Sequence, residues 1–168
     1  VLFRSYVRQR CPSLRVGALG SSMGSAASAL AIADDPAIAD FLIMDSGYSK
    51  LSSAIIGWWH FLGGRTLQIL LMPTVLVAAP LAGFNPFKVD IADAIARIGP
   101  KPVLFLHGTS DTLALPKEAE RNAAACTGPH TVVWFEGYQH SEFRWEQPER
   151  YLKALQDRKS TRLNSSHA

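Results

Sequence analysis

Four short apolar runs that alternate with helical segments constrain the fold of this chain more than any other feature. The apolar runs cover residues 14–19, 41–45, 102–106 and 131–135. The helical segments cover residues 23–33, 116–126 and 147–156. Continuous apolar runs of this length, separated by helices, are typical of strands buried on both faces of a parallel sheet. The sequence therefore predicts an α/β architecture, a mostly parallel sheet flanked by helices.

An insertion interrupts this alternation between the second and third runs. Residues 48–98 are far longer than an ordinary crossover, and they are rich in apolar side chains. The stretch 67–84 is long and apolar enough to raise the possibility of a membrane-spanning segment. Pro73 and Pro80 interrupt it, however, and a span would have to divide a soluble sheet. We therefore expect a helical cap over the sheet, with membrane association through 67–84 as the less favoured alternative.

Large apolar side chains in this cap could line a substrate pocket. The candidates are Trp58, Trp59, Phe61 and Leu71. The alternative for each of them is simple packing of the cap against the body of the protein.

Both ends of the chain match reading frames of sequencing-library adapters, "VLFRS" at residues 1–5 and "DRKSTRLNSSH" within 157–168. We expect both to be adapter-derived and residues 6–156 to form a partial domain. The net charge of +3 then disappears, because the two ends carry the excess of basic side chains. Charge thus gives no support for binding to nucleic acid or to an anionic membrane. The two cysteines, Cys11 and Cys126, suggest neither a disulfide framework nor a metal site.

The sequence Gly20-Ser21-Ser22-Met23-Gly24 has the pattern G-x-S-x-G, between a predicted strand and a predicted helix. That context is the one in which a nucleophilic serine is presented on a sharp strand-to-helix turn. Glycine two residues to either side leaves room for the tight backbone. The register makes Ser22 the candidate nucleophile, whereas Ser21 and Ser25 are interpreted as small residues at a crowded corner.

A nucleophilic serine needs a histidine as base and a carboxylate to orient it. Asp111 follows the third predicted strand and His140 follows the fourth, so both lie where parallel strands end. Asp45, at the end of the second strand, is a less favoured alternative for the acid. Structural or solvated roles are expected for the remaining candidates, which are His60, His107, His130, Asp90, Asp93 and Glu136. His107 in particular is interpreted as a turn residue at the end of its strand.

Three segments, "GSSMG", "PVLFLHGTSD" and "GYQH", together resemble the α/β-hydrolase superfamily. Within it, the chain is most similar to bacterial serine hydrolases of the esterase and serine-aminopeptidase-like kind. The resemblance implies the C-terminal part of an α/β-hydrolase fold, with a helical cap between the second and third strands present. It also implies hydrolysis of a small-molecule ester by a Ser-His-Asp acyl-enzyme mechanism, without metal or cofactor. A peptidase or thioesterase with the same triad, or a non-catalytic binding protein of this fold, are the alternatives.

The mechanism implied by this resemblance needs two hydrogen-bond donors for the oxyanion. The backbone N–H of Met23 is expected to be one of them, and a loop after an earlier strand the other. The chain begins at what looks like the helix before the nucleophile strand, so we expect that loop to be absent. The chain as it stands is then expected to be inactive, with an exposed sheet edge that favours aggregation.

Overall fold

The computed structural model describes residues 2–81 and 83–160. Its strands are β1 (Gly17–Ser21), β2 (Phe41–Asp45), β3 (Val103–Gly108) and β4 (His130–Phe135). In the described residues these four strands form one all-parallel sheet in the order β1-β2-β3-β4. The carboxyl ends of parallel strands meet at one edge, so the loops after all four strands lie along the same side of the sheet.

Helices connect and flank the strands. They are α1 (Leu2–Arg10), α2 (Met23–Asp34), α3 (Leu51–Leu81), α4 (Ile91–Arg97), α5 (Pro116–Ala125), α6 (Phe143–Glu146) and α7 (Pro148–Ser160), with a 3-10 turn at Pro86–Lys88. The predicted fold class is confirmed, because the sheet is parallel, helices flank it, and α3 and α4 are inserted between β2 and β3. This arrangement is that of the C-terminal part of an α/β-hydrolase fold.

The two faces of the sheet bury alternate residues of the same strands. Leu42 and Met44 of β2 pack with α2 and α4, whereas Ile43 between them packs with Phe143 and Tyr151 on the opposite face. Successive side chains of a strand point to opposite faces, and both faces here are covered. This double burial explains why the strands read as continuous apolar runs rather than as alternating patterns.

Three strands differ from their predicted bounds, and for β4 the difference is one residue, since it begins at His130 rather than at residue 131. β1 begins at Gly17 rather than at residue 14, because pairing with β2 starts with Gly17 opposite Phe41. β3 continues through His107 to Gly108, and the His107 side chain is 1% exposed. The interpretation of His107 as a turn residue is therefore wrong, since it is a buried residue of a central strand.

The predicted adapter-derived ends overlap two helices. Helix α1 includes residues 2–5, and α7 continues through Ser160. Residue 1 and residues 161–168 lie outside the described residues. The adapter origin of both ends stays a prediction.

The longest element of the insertion is α3, whose first turn packs against the core. Leu51 and Ala54 pack against the buried core. The helix is broken at Gly63 and Gly64, where Gly64 has φ 64° and ψ −161°, a conformation almost restricted to glycine. In the described part of the chain, α3 is the one helix long and apolar enough to cross a membrane, with a mean hydropathy of 1.5 over an 18-residue window. Val75 is buried within this helix. Residue 82, within the predicted stretch 67–84, lies outside the described residues.

Candidate active site

The turn between β1 and α2 holds Ser22 in a strained conformation. Its φ is 51° and its ψ is −115°, outside the regions that residues with a side chain prefer. The Ser22 N–H donates to the carbonyl oxygen of Asp45 at 2.8 Å, which fixes the turn to the end of β2. Backbone strain of this kind at a residue other than glycine is typical of functional sites.

The two glycines of the G-x-S-x-G pattern have different steric roles. A methyl group at Gly20 would lie 2.2 Å from the carbonyl oxygen of Gly24, so this position needs glycine. A methyl group at Gly24 would meet nothing within 4 Å. The expectation that both glycines avoid a clash is thus right for Gly20 and wrong for Gly24, which faces open space at the start of α2.

The backbone N–H of Met23 is available as a donor. Met23 is the first residue of α2, and among the described residues its N–H has no hydrogen-bond partner. Unpaired N–H groups at a helix N-terminus, together with the helix dipole, favour negative charge. The position therefore suits the oxyanion donor that sequence analysis expects there.

Asp111 and His140 meet at the carboxyl ends of β3 and β4. The Nδ1 atom of His140 lies 2.7 Å from Oδ2 of Asp111. The other carboxylate oxygen, Oδ1, accepts the N–H groups of Leu113 and Ala114, each at 2.9 Å. The Asp111 side chain is fully buried, and that of His140 is 19% exposed. The carboxylate is thereby fixed from one side and presents Oδ2 to the imidazole.

In the described part of the chain, the Ser22 hydroxyl is not joined to this pair by a hydrogen bond. Among the described residues it forms no hydrogen bond, either with His140 or with the N-terminus of α2. Hydrogen bonds between a nucleophile and its base are often long in unliganded enzymes and tighten when substrate binds. The structure thus joins Asp111 to His140 and leaves the Ser22 hydroxyl unengaged.

The buried imidazole of His107 also lies close to the Asp111 carboxylate. Its Nε2 atom lies 2.7 Å from the carbonyl oxygen of Ala114 and 3.5 Å from Oδ2 of Asp111. Because a carbonyl oxygen only accepts, Nε2 carries a proton. Burial lowers the pKa of His107, which favours the neutral imidazole. This contact was not predicted from the sequence, although the spacing of four residues in "HGTSD" is compatible with it.

Asp45, the alternative acid, has other partners. Its carboxylate accepts hydrogen bonds from Ser141 Oγ at 2.8 Å, from Arg144 Nε and Nη2 at 3.1 and 2.7 Å, and from the Tyr151 hydroxyl at 3.2 Å. Burial, and after it the nearby Asp45 carboxylate, raise the pKa of Tyr151 to about 12. Within the described residues Asp45 makes no contact with His140, so Asp111 is the carboxylate placed to orient the imidazole.

The serines beside Ser22 are more than small residues. Ser21 Oγ accepts a hydrogen bond from Arg144 Nη2 at 2.6 Å and shares another with Ser141 Oγ at 3.0 Å. Ser25 Oγ donates to the carbonyl oxygen of Gly20 at 2.6 Å. The interpretation of Ser21 as a purely steric choice is wrong, since its hydroxyl belongs to a polar cluster.

Among the described residues, the remaining titratable candidates form no hydrogen bond or ion pair with Ser22, Asp111 or His140. His60 is exposed on α3, and His130 is the exposed first residue of β4. Asp93 and Glu136 are exposed, as expected. Asp90 differs from its expected solvated state, because it caps α4 and pairs with Arg121 at 2.7 Å.

The four candidate pocket residues all lie on α3. Trp58 and Phe61 stack with ring centroids 5.9 Å apart, and each is more than half exposed. Trp59 and Leu71 are half-buried. A groove of about 430 Å³ lies farther along α3, lined by Val75, Leu76, Ala79, Pro80, Gly83, Phe84, Asn85 and Phe87. None of the four lines this groove, so their role as a substrate pocket stays a prediction.

Residues 2–81 and 83–160 contain no cluster of three or more His, Cys, Asp or Glu side chains able to hold a metal ion. Cys11 and Cys126 are unbridged.

No protein-family model and no curated protein sequence matches the chain. Solved structures do. An α/β-hydrolase enzyme from the metagenome of lagoon sediments at Mar Chica, Morocco, is 17% identical with a TM-score of 0.61, over 96% of this chain and 69% of that one. The Pyrococcus furiosus esterase Pf2001 is 18% identical with a TM-score of 0.63, over 91% of this chain and 57% of that one.

A third similar structure is an acylaminoacyl peptidase from Pyrococcus horikoshii. It is 16% identical with a TM-score of 0.58, over 84% of this chain and 22% of that one. Similarity at this level concerns the fold, and this chain spans only part of each of the three proteins. The parallel sheet, the turn at Ser22 and these structural matches agree that the chain has an α/β-hydrolase fold.

Proposed function

We propose that the protein is a serine hydrolase that cleaves carboxylic esters. The observation that carries the proposal is the 2.7 Å contact between His140 Nδ1 and Asp111 Oδ2. This pair lies on the same edge of the sheet as Ser22, which is held in a strained turn at the N-terminus of α2. A nucleophile on such a turn, a histidine and an orienting carboxylate are the parts that acyl transfer by serine needs.

In the proposed reaction, Ser22 Oγ attacks the ester carbonyl carbon while His140 Nε2 accepts the serine proton. Asp111 Oδ2 accepts the Nδ1 hydrogen and stabilises the imidazolium that forms. The Met23 N–H donates to the developing oxyanion. His140 then gives its proton to the departing alkoxide, which leaves an acyl group on Ser22. Water, deprotonated by the same imidazole, releases the acid and restores the serine.

A peptidase or thioesterase is the second candidate, since the same groups could act on amides and thioesters. The similarity of this chain to the fold of an acylaminoacyl peptidase supports peptidase activity as the alternative. Parallel assays of a p-nitrophenyl ester, a p-nitroanilide and a thioester with the same acyl group would separate the classes. The ester proposal predicts the largest kcat/KM for the p-nitrophenyl ester after correction for its intrinsic reactivity.

Covalent labelling tests the catalytic assignment directly. The chain is treated with a fluorophosphonate, and the labelled peptide is identified by mass spectrometry. Labelling requires a single phosphonylation of an activated serine and no turnover, so even a slow reaction can be detected.

We expect the label on Ser22 and its loss in Ser22→Ala. The matched control is Ser28→Ala, which removes a hydroxyl from the same helix beyond the turn and should label as the parent does. A non-catalytic protein of this fold would leave Ser22 unlabelled. Absence of the label from Ser22, or its persistence in Ser22→Ala, would contradict the proposal.

A further inference from the structure

Asp45 contacts both of the loops that carry the proposed nucleophile and base. Its carbonyl oxygen accepts the N–H of Ser22 at 2.8 Å. Its carboxylate accepts the hydroxyl of Ser141, the residue after His140, at 2.8 Å, and binds Arg144 with two hydrogen bonds. The Asp45 side chain is fully buried. One residue at the end of β2 therefore joins two segments that lie far apart in the sequence.

The strained backbone of the described residues is concentrated at this junction. Positive φ angles outside glycine occur there at Ser22 (51°), Ser46 (50°) and Ser141 (55°). Ser46 follows Asp45, and its Oγ accepts the N–H of Ser141 at 2.9 Å. Such conformations cost about 1–3 kcal/mol each and persist only where surrounding contacts hold them. The hydrogen bonds around Asp45 are the contacts that hold these three residues.

The His140 loop is anchored to its two neighbours by separate sets of contacts. It is bound to the acid loop by the hydrogen bonds Ser110 N–H to Tyr138 O, Gly137 N–H to Thr109 Oγ1, and Thr112 Oγ1 to Gln139 Oε1. Among the described residues, its hydrogen bonds to β1 both involve Ser21 Oγ, which shares one with Ser141 Oγ and accepts one from Arg144 Nη2. If the contacts with β1 were lost, His140 would keep its hydrogen bond to Asp111, but its loop could move relative to Ser22.

We propose that Asp45, with Arg144 and Ser141, is a positioning residue that holds the His140 loop at its working distance from Ser22. The proposal rests on the proposed function of Ser22 and His140. Among the described residues, no hydrogen bond or ion pair joins Asp45 to His140. Its carboxylate neutralises Arg144 and fixes Ser141, and its carbonyl oxygen fixes the turn at Ser22.

The test compares Ser141→Ala and Asp45→Asn with the parent chain in fluorophosphonate labelling. Misplacement of a catalytic group by about 1 Å can reduce a rate by about 100-fold. We expect labelling of Ser22 to slow by about 10- to 100-fold in both variants. Asp45→Asn leaves the Arg144 charge without its carboxylate and can impair folding, so Ser141→Ala, which keeps the Asp45–Arg144 pair, is the decisive variant.

A proton NMR measurement separates positioning from general loss of structure. The His140 Nδ1 proton, bound to Asp111, gives a low-field resonance that is identified by its loss in His140→Gln. We expect this resonance to persist in Ser141→Ala, because the contacts with the acid loop remain. Ser28→Ala is the matched control, since Ser28 lies on α2 beyond the turn at Ser22. It should label at the parent rate.

Labelling of Ser141→Ala at the parent rate would overturn the inference and leave the proposed function standing. Loss of the low-field resonance in Ser141→Ala would also overturn it, because the variant would then disturb the Asp111–His140 pair itself. A parent chain without label on Ser22 would overturn the proposed function, and the inference with it.

Discussion

Asp111 uses its two carboxylate oxygens for different purposes. Oδ1 is held by the N–H groups of Leu113 and Ala114, and Oδ2 faces His140 Nδ1. In the Asp111→Asn variant, an amide nitrogen in place of Oδ2 would donate to Nδ1 and favour the wrong imidazole tautomer. We expect the rate of Ser22 labelling to fall by about 10⁴-fold, the effect typical of such a change.

The control for Asp111→Asn is Asp93→Asn, since Asp93 is exposed on α4. That variant should label at the parent rate. An Asp111→Asn chain that labels within about threefold of the parent would remove Asp111 from the proposed triad, since its effect would lie far below the typical loss.

Gly20 and Gly24 form a matched pair for the turn at Ser22. Gly20→Ala would place a methyl group 2.2 Å from the Gly24 carbonyl oxygen, whereas Gly24→Ala would place one in open space. We expect Gly20→Ala to lower the free energy of unfolding by about 1–3 kcal/mol or more, as overpacking does. Gly24→Ala should raise it by about 0.5–1 kcal/mol, because alanine favours the helix. Urea denaturation measures both, and equal effects at the two positions would contradict the structure.

His107 makes the stability of the chain depend on pH. Burial lowers its pKa in the folded state, so below about pH 6.5 the unfolded chain binds a proton that the folded chain resists. The free energy of unfolding should therefore fall as the pH drops through this range. The His107→Gln variant, which keeps an amide donor for Ala114, should show a shallower fall between pH 7 and 5. Equal slopes in urea titrations of the two proteins would contradict this assignment.

At the scale of elements, the strands and most helices follow from local pattern. β2 coincides with the run 41–45, because both faces of the sheet are covered there and the first four side chains of the strand are apolar. The Asp45–Arg144 pair could not be predicted in this way, since its partners are 99 positions apart and follow no periodicity. His107 was interpreted as a turn residue because it follows the apolar run, whereas β3 continues beyond that run through His107 to Gly108.

The first turns of α3 touch the acid loop, which gives this helix an influence on the site. A methyl group at Gly57 would lie 2.4 Å from the carbonyl oxygen of Leu113. The Leu113 N–H is one of the donors to Asp111. We expect Gly57→Ala to displace this contact and slow labelling of Ser22, with Gly24→Ala as the control. Unchanged labelling together with unchanged unfolding would show that α3 does not rest on the acid loop.

At the scale of the whole molecule, the far half of α3 presents apolar side chains to solvent. Leu70 is 70% exposed, and Leu81 is 84% exposed. Exposed apolar patches of this kind favour association. We expect the double variant Leu70→Lys/Leu81→Lys to reduce self-association in light scattering, with little change in the free energy of unfolding. An equal degree of association in the parent and the variant would place the cause elsewhere, for example at the edge strand β1.

The strand order has a consequence for the order in which the site is built during synthesis. Each strand pairs with the one made before it, so the sheet can grow in one direction as the chain leaves the ribosome. Ser22 emerges first, Asp111 later and His140 last. On this order, a nascent chain would carry its serine hydroxyl without an imidazole to activate it until β4 and the loop after it are made, and reactivity would arise only then.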